Sequence, residues 1–183
     1  MPSKPGKCHI RFAEPTDWPE LERIYIAHEG GRIPAGYFSE YRECLRNPDT
    51  LYFVASVGDR VVGGGGIAPY QSGEHATLAF GLVDPQECCK GYGTALLLAR
   101  LLYVDTGASG CRIFLTATFW SNPFYARVGF RWYGNQVDEA GNRLLYGSLL
   151  VRAGEQDEFR TRLEDSGVTL GFGLDRPEIP PES

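Results

Sequence analysis

The sequence predicts a mixed α/β fold, a β-sheet with helices on its faces, and three observations predict it. The run TALLLARLLYV (94–104) carries leucines around most of its circumference, so a helix there must lie buried against a sheet. LYFVASV-GD-RVVGGGGIA (51–68) reads as a β-hairpin, two β-rich runs about the two-residue turn Gly58-Asp59. Helix-like and strand-like segments then alternate as far as residue 152, the pattern of a layered sheet-and-helix domain.

The elements follow in order. EPTDWPELERIYIAH (14–28) opens a helix capped by Thr16 or Asp17, with Pro19 in the first turn, where its missing N–H is no loss. Leu21, Ile24, Tyr25 and His28 share one face. After a loop with Gly30, Gly31 and Pro34, GYFSEYRECLRNP (36–48) predicts a second helix striped by Phe38, Tyr41 and Leu45, ending before Pro48. Glycines 63–66 weaken the second hairpin strand; a bulge or tight packing accounts for them, and so does room for a ligand. HATLAFGLV (75–83) is a strand, followed by a Gly-punctuated turn and a helix from about Thr94 to Val104 that Asp105-Thr106-Gly107 stops. CRIFLTA (111–117) is a short apolar strand with a central place, and NPFYARVGF (122–130) a short helix ended by Gly129. GFRWYGN (129–135) and LLYGSLLVR (144–152) form a last hairpin. EQDEFRTRLEDSG (155–167) reads as helical and RPEIPPES (176–183) as loose.

Bulk properties narrow the function. The chain of 183 residues has a net charge of -5, all of it behind residue 152: residues 153–183 hold 3 arginines against 8 acidic residues. No basic stripe offers itself to phosphate backbones, so a nucleic-acid partner is not expected. No apolar run approaches the ~20 residues of a membrane span, and MPSKPGKCHIRF lacks an apolar leader, so the expected location is cytoplasmic. The 5 cysteines form no C-x-x-C pair and leave an odd one over, which predicts reduced thiols and no zinc site or other metal.

The turn between residues 83 and 94 carries the chemistry. A helix N-terminus presents unpaired N–H groups and the positive end of the helix dipole. Gly91 and Gly93, spaced G-x-G at its mouth, let a ligand approach the backbone, and Lys90 adds a candidate point charge. A dinucleotide fingerprint needs a third glycine where Leu96 stands, and a P-loop needs a G-K-[ST] that the chain lacks.

LVDPQECCKGYGTALL (82–97) and FYARVGF (124–130), with one strand between them, resemble the GNAT superfamily of acyl-CoA-dependent N-acetyltransferases. The first matches the family's pyrophosphate motif, [RQ]-x-x-G-x-[GA], as Cys88-x-x-Gly91-x-Gly93; the second matches its FYxxxGF helix through Phe124, Tyr125, Gly129 and Phe130. The resemblance implies a mostly antiparallel sheet splayed between two strands, and spans residues 8–152 of a domain expected to cover 1–152. An acidic extension, 153–183, is expected to be helical then loose, packed on or exchanged with that domain, or forming a homodimer. Three positions depart from the family: Cys88 replaces the Arg or Gln, Thr77 stands where some members have a basic Glu, and Phe119 or Trp120 where many have Asn.

The resemblance further implies acetyl-CoA as co-substrate and a small-molecule or peptide amine as acceptor. Its cofactor contacts fall on the backbone around Leu82 and Val83 and on the loop Cys88, Cys89, Lys90, Gly91, Tyr92, Gly93 and Thr94. It implies Tyr125 as the acid that protonates the leaving sulfur, since a phenol is a proton donor at neutral pH; the residue also reads as a plain core aromatic. The base stays open among Glu74, His75, Glu29, His28, Glu40 and water. An acyl-enzyme on Cys88 or Cys89 is disfavoured because no histidine lies nearby in sequence. The acceptor is expected among Tyr25, Tyr37, Phe38, Tyr41, Trp132 and Tyr133. The alternative function is a non-catalytic acyl-CoA-binding or sensory domain of the same fold.

Overall fold

A computed structural model describes residues 7–70 and 73–171. The chain runs β1 (Cys8–Phe12), α1 (Trp18–Ile26), α2 (Phe38–Arg46), β2 (Leu51–Val57), β3 (Arg60–Pro69), β4 (His75–Val83), α3 (Tyr92–Leu102), β5 (Cys111–Thr118), α4 (Asn122–Val128), β6 (Arg131–Val137), β7 (Arg143–Val151), α5 (Glu155–Asp165) and β8 (Val168–Leu170). One sheet of eight strands results, in the order β6-β7-β5-β4-β3-β2-β1-β8. Pairings are antiparallel except β4 with β5 and β1 with β8.

Alternation along the strands sorts side chains to two cores. On one face Ile10, Phe53, Ala55 and Val62 meet α3, whose Leu96, Leu97 and Leu101 are all but fully buried. Each leucine so buried contributes about 1.5–3 kcal/mol, and together they seat α3 under the sheet. On the other face Tyr52, Val54 and Leu82 meet Leu21, Ile24 and Tyr25 of α1 and Tyr41 and Leu45 of α2.

β4 and β5 are neighbours only at the base. They pair at His75–Arg112, Ala76–Ile113 and Thr77–Phe114, after which β4 stays with β3 as far as Val83 and β5 stays with β7 as far as Thr118. The divergence begins at a bulge. Gly66 pairs with Ala79 and Gly64 with Leu82, so Phe80 and Gly81 together oppose Gly65. Phe80 takes φ +37°, a strained value for an aromatic residue, and the extra residue twists β4 away from its neighbour. The glycine run answers to packing: a side chain at Gly64 would come within 2.8 Å of Leu21 and Tyr52, and one at Gly65 within 2.8 Å of the Arg100 guanidinium.

Several local expectations need correction. α3 starts at Tyr92, not Thr94, because Gly91 adopts φ +90° and turns the chain into the helix two residues early; it ends at Leu102. Asp17 precedes α1 but makes no side-chain cap there. Its carboxylate instead takes the Arg11 guanidinium at 2.7 and 2.8 Å and the Glu14 N–H at 2.8 Å. β5 is interior to the sheet, yet it does alternate, with Arg112 and Thr116 exposed. β1 and β8 are additions to the predicted order. α5 packs on α3, burying Leu163, and β8 runs beside β1. The segment RPEIPPES lies outside the described residues. No helix among those described is long and apolar enough to cross a membrane.

Candidate active site

The gap between β4 and β5 opens toward the N-terminus of α3. The first intrahelical bond runs from the Ala95 N–H to the Gly91 carbonyl (3.0 Å), so the N–H groups of Tyr92, Gly93 and Thr94 precede it. Cys89 (φ +65°) and Gly91 (φ +90°) both take left-handed backbone, which curls the loop as it enters the helix. Gly93 is set between β4 and α4, its missing Cβ 3.6 Å from Val83 and 3.8 Å from Phe124.

Ionic and polar contacts at three side chains, Asp84, Glu87 and Cys88, hold this loop. The buried Asp84 carboxylate takes Arg23 at 2.6 Å and the Gln86 N–H at 3.0 Å; burial alone would raise its pKa, but these partners hold it below the usual carboxylate range. Glu87 binds Lys90 at 2.7 Å and also Arg60, so the Lys90 ammonium is engaged by a carboxylate rather than standing free for a ligand. At Cys88 the Arg32 guanidinium, from the loop between α1 and α2, donates to the sulfur at 3.2 Å. That brings a cation to the position whose own side chain carries none.

Val83 anchors the other side. The Asp84 N–H is spent on the Val62 carbonyl of β3 at 2.8 Å, so strand alternation turns the N–H and C=O of Val83 away from β3, toward the gap. Its carbonyl accepts from the His28 Nε2–H at 2.7 Å and, more distantly, from the Cys88 thiol at 3.9 Å. Leu82 faces β3 instead and is buried. A histidine thus does lie near Cys88 in space, although none is near in sequence. Both groups donate to one carbonyl, an arrangement in which Nε2 takes no proton from the thiol. Cys8, Cys44, Cys88 and Cys111 are free thiols; Cys8 is buried deeply enough to push its thiol up to about 11, while Cys89 is exposed.

Tyr125 lies in α4, buried against Phe124 and Phe130. Its hydroxyl reaches across to β4, 3.3 Å from where a Cβ on Gly81 would stand. The phenol thus sits inside the gap, a few residues upstream of Val83. The base candidates do not converge on it. His75 is at the closed base, stacked on Phe114, Glu74 and Glu40 are exposed, and Glu29 accepts the Gly36 N–H at 3.3 Å. Phe119 and Trp120, where the family places Asn, are 65% and 71% exposed.

The aromatic set for the acceptor divides. Tyr25 and Tyr41 are core residues stacked 4.7 Å apart, and Phe38 packs on Tyr25. Tyr133 is exposed and stacks on Tyr146, while Trp132 is half-buried. The Tyr37 hydroxyl donates to Asp138 at 2.8 Å, joining the start of α2 to the β6–β7 turn across the mouth. The Tyr25 hydroxyl is buried without a hydrogen-bond partner among the described residues; burial, then Glu29 and Glu40, push its pKa up to about 12. Sequence reasoning missed Arg32, which is 56 residues from Cys88, and the bulge at Phe80; neither leaves a local signal.

A strand pair split above its base, an open helix N-terminus and a phenol reaching toward Gly81 come together at one end of β4. The chain belongs to the acetyltransferase (GNAT) family, whose model matches residues 18–130. Membership supports acyl-CoA-dependent N-acetyl transfer at the level of the family. Solved structures with the same fold include an acetyltransferase of the GNAT family from Desulfovibrio desulfuricans (18% identity, TM-score 0.67, 78% of this chain and 98% of that one). A spermidine N-acetyltransferase variant from Vibrio cholerae aligns at 15% identity and TM-score 0.60 (85% and 98%). An aminoglycoside 6'-N-acetyltransferase complexed with coenzyme A aligns at 17% and 0.59 (77% and 96%). No curated relative matches the sequence.

Proposed function

We propose that this protein moves an acetyl group from acetyl-CoA to a primary amine of a small molecule or peptide, by direct attack within a ternary complex. The observation that carries the reading is the alignment of three features along one gap: the open amides of Tyr92, Gly93 and Thr94, the inward-turned N–H of Val83, and the Tyr125 hydroxyl. In it, the loop from Cys88 to Thr94 holds the diphosphate through backbone N–H groups, with Arg32 as the added cation. Val83 hydrogen-bonds the carrier and orients the thioester, and Tyr125 supplies the proton that the leaving sulfur takes up.

The acceptor is assigned to the mouth between α1, α2 and the β6–β7 turn. Glu29, Glu40 and Asp138 make that rim acidic, and the partnerless Tyr25 hydroxyl offers a hydrogen bond. These groups favour a cationic amine, which then loses its proton to water, since no side chain among the described residues is placed as base.

Calorimetry with coenzyme A, followed by thiol release across a panel of amines, tests the reading. Saturable binding and amine-dependent release are expected; no heat at millimolar coenzyme A overturns it, and binding without release on any amine reassigns the chain as a non-catalytic acyl-CoA sensor. Tyr125→Phe should keep coenzyme A affinity while kcat falls about 100-fold, the lower range of general-acid contributions. Full kcat in that variant removes Tyr125 from the chemistry.

A further inference from the structure

Arg100 is the one charged residue in an otherwise apolar helix, and it points inward. It is 2% exposed, the largest fully buried side chain among those described. Its Nε–H donates to the Leu96 carbonyl at 3.2 Å and Nη1 to the Gly66 carbonyl at 3.2 Å. None of the ion pairs among the described residues includes it. A guanidinium is a cation with five N–H donors, and removing it from water without a counter-charge is strongly unfavourable.

The fold makes room for it at two glycines. A Cβ at Gly65 would lie 2.8 Å from its Cζ, and one at Gly81 would lie 3.1 Å from Nη2. The same point over Gly81 is 3.3 Å from the Tyr125 hydroxyl. A structural role, filling the carbonyl left by the β3–β4 bulge, accounts for Nη1 and Nε. It leaves unexplained why Nη2 and the phenol oxygen are both brought to the same point over Gly81, at the place where β4 has parted from β5.

We propose that Arg100 is a second residue of the reaction, the buried cation that stabilises the negative charge the leaving group acquires. The inference rests on the acetyl-transfer reading above. As the amine nitrogen bonds the acetyl carbon, the carbon–sulfur bond breaks and its electron pair stays on sulfur. Tyr125 passes its hydroxyl proton to that sulfur, and the charge moves to the phenolate oxygen, which shares the space over Gly81 with the guanidinium. The ammonium formed on the product releases its proton to water, and water returns one to Tyr125. The counter-charge that Arg100 lacks at rest is thus supplied transiently by the reaction.

A guanidinium that stabilises the leaving group's charge favours the ionised thiol of bound coenzyme A, so binding tests this apart from turnover. Calorimetry on the wild-type protein with coenzyme A and with acetyl-CoA, from about pH 7 to pH 9, is expected to show the affinity ratio moving about tenfold toward coenzyme A. Arg100→Met should flatten that ratio, leave acetyl-CoA affinity nearly unchanged and lower kcat about 100-fold, as for loss of one charge-stabilising donor. Arg100→Lys, should the Met variant not fold, is expected to keep a reduced pH dependence. A wild-type ratio that does not change with pH overturns the role of Arg100 while coenzyme A still binds. Absence of coenzyme A binding in the wild type overturns the acetyltransferase reading itself.

Discussion

The sulfur of Cys88 and the guanidinium of Arg32, 3.2 Å apart, belong to segments 56 residues apart in sequence. Where the family's loop uses its own Arg or Gln, this chain uses a thiol and brings the charge from the loop between α1 and α2. With Lys90 engaged by Glu87, the proposed function makes Arg32 the cation that a diphosphate on this loop would meet. Arg32→Ala is expected to weaken coenzyme A binding about tenfold or more, the worth of a charge-assisted hydrogen bond. Pantetheine, which lacks the phosphates, should bind the variant and the wild type alike; calorimetry on both ligands checks it, and an equal loss for pantetheine sinks the role. The substitution at Cys88 was plain in the sequence, but its replacement was not, because a contact between distant loops leaves no spacing to read.

Among the elements, α3 and α5 show how far pattern alone reaches. The leucines of α3 announce a buried helix, and it is one. Its frayed end is another matter. The side-chain amide of Gln156 donates to the carbonyls of Leu101 and Leu102 at 3.0 Å each and of Val104 at 2.7 Å, closing the helix from outside. Gln156→Ala should leave those carbonyls without a partner and cost about 1–3 kcal/mol, lowering the melting temperature by roughly 3–10 °C. A thermal melt unchanged within a degree would contradict this account. β1 and β8 escaped prediction for a related reason. Cys8 and Ile10 do point inward with His9 and Arg11 between them, but five residues are too short a window for period two to declare itself. β8 has three residues and exists by pairing with β1, from the far end of the chain.

At the scale of the molecule, two buried carboxylates link stability to acidity. Asp17, held by Arg11, and Asp84, held by Arg23, have folded pKa values below their ordinary ones despite the opposing effect of burial. The unfolded chain therefore binds more protons in that window, and stability rises with pH through it. The contribution is fully present above about pH 4 and is lost as the pH falls through the lowered folded values. Melting temperatures should be level from neutrality to about pH 5 and fall below about pH 4; Asp84→Asn, less stable at neutral pH, should show a shallower acid limb. Equal slopes in both proteins would remove Asp84 from the linkage.

By itself the sequence determined the fold class, the hairpin turn at Gly58-Asp59, the buried helix, the G-x-G mouth and the phenol downstream, because each is written in neighbouring residues through propensity, period or spacing. Tertiary structure alone decided the bulge at Phe80, the parting of β4 from β5, the approach of Arg32 to Cys88 and the burial of Arg100 over Gly65 and Gly81. Those features depend on which strands and loops become neighbours, and that follows from packing the whole chain around two cores.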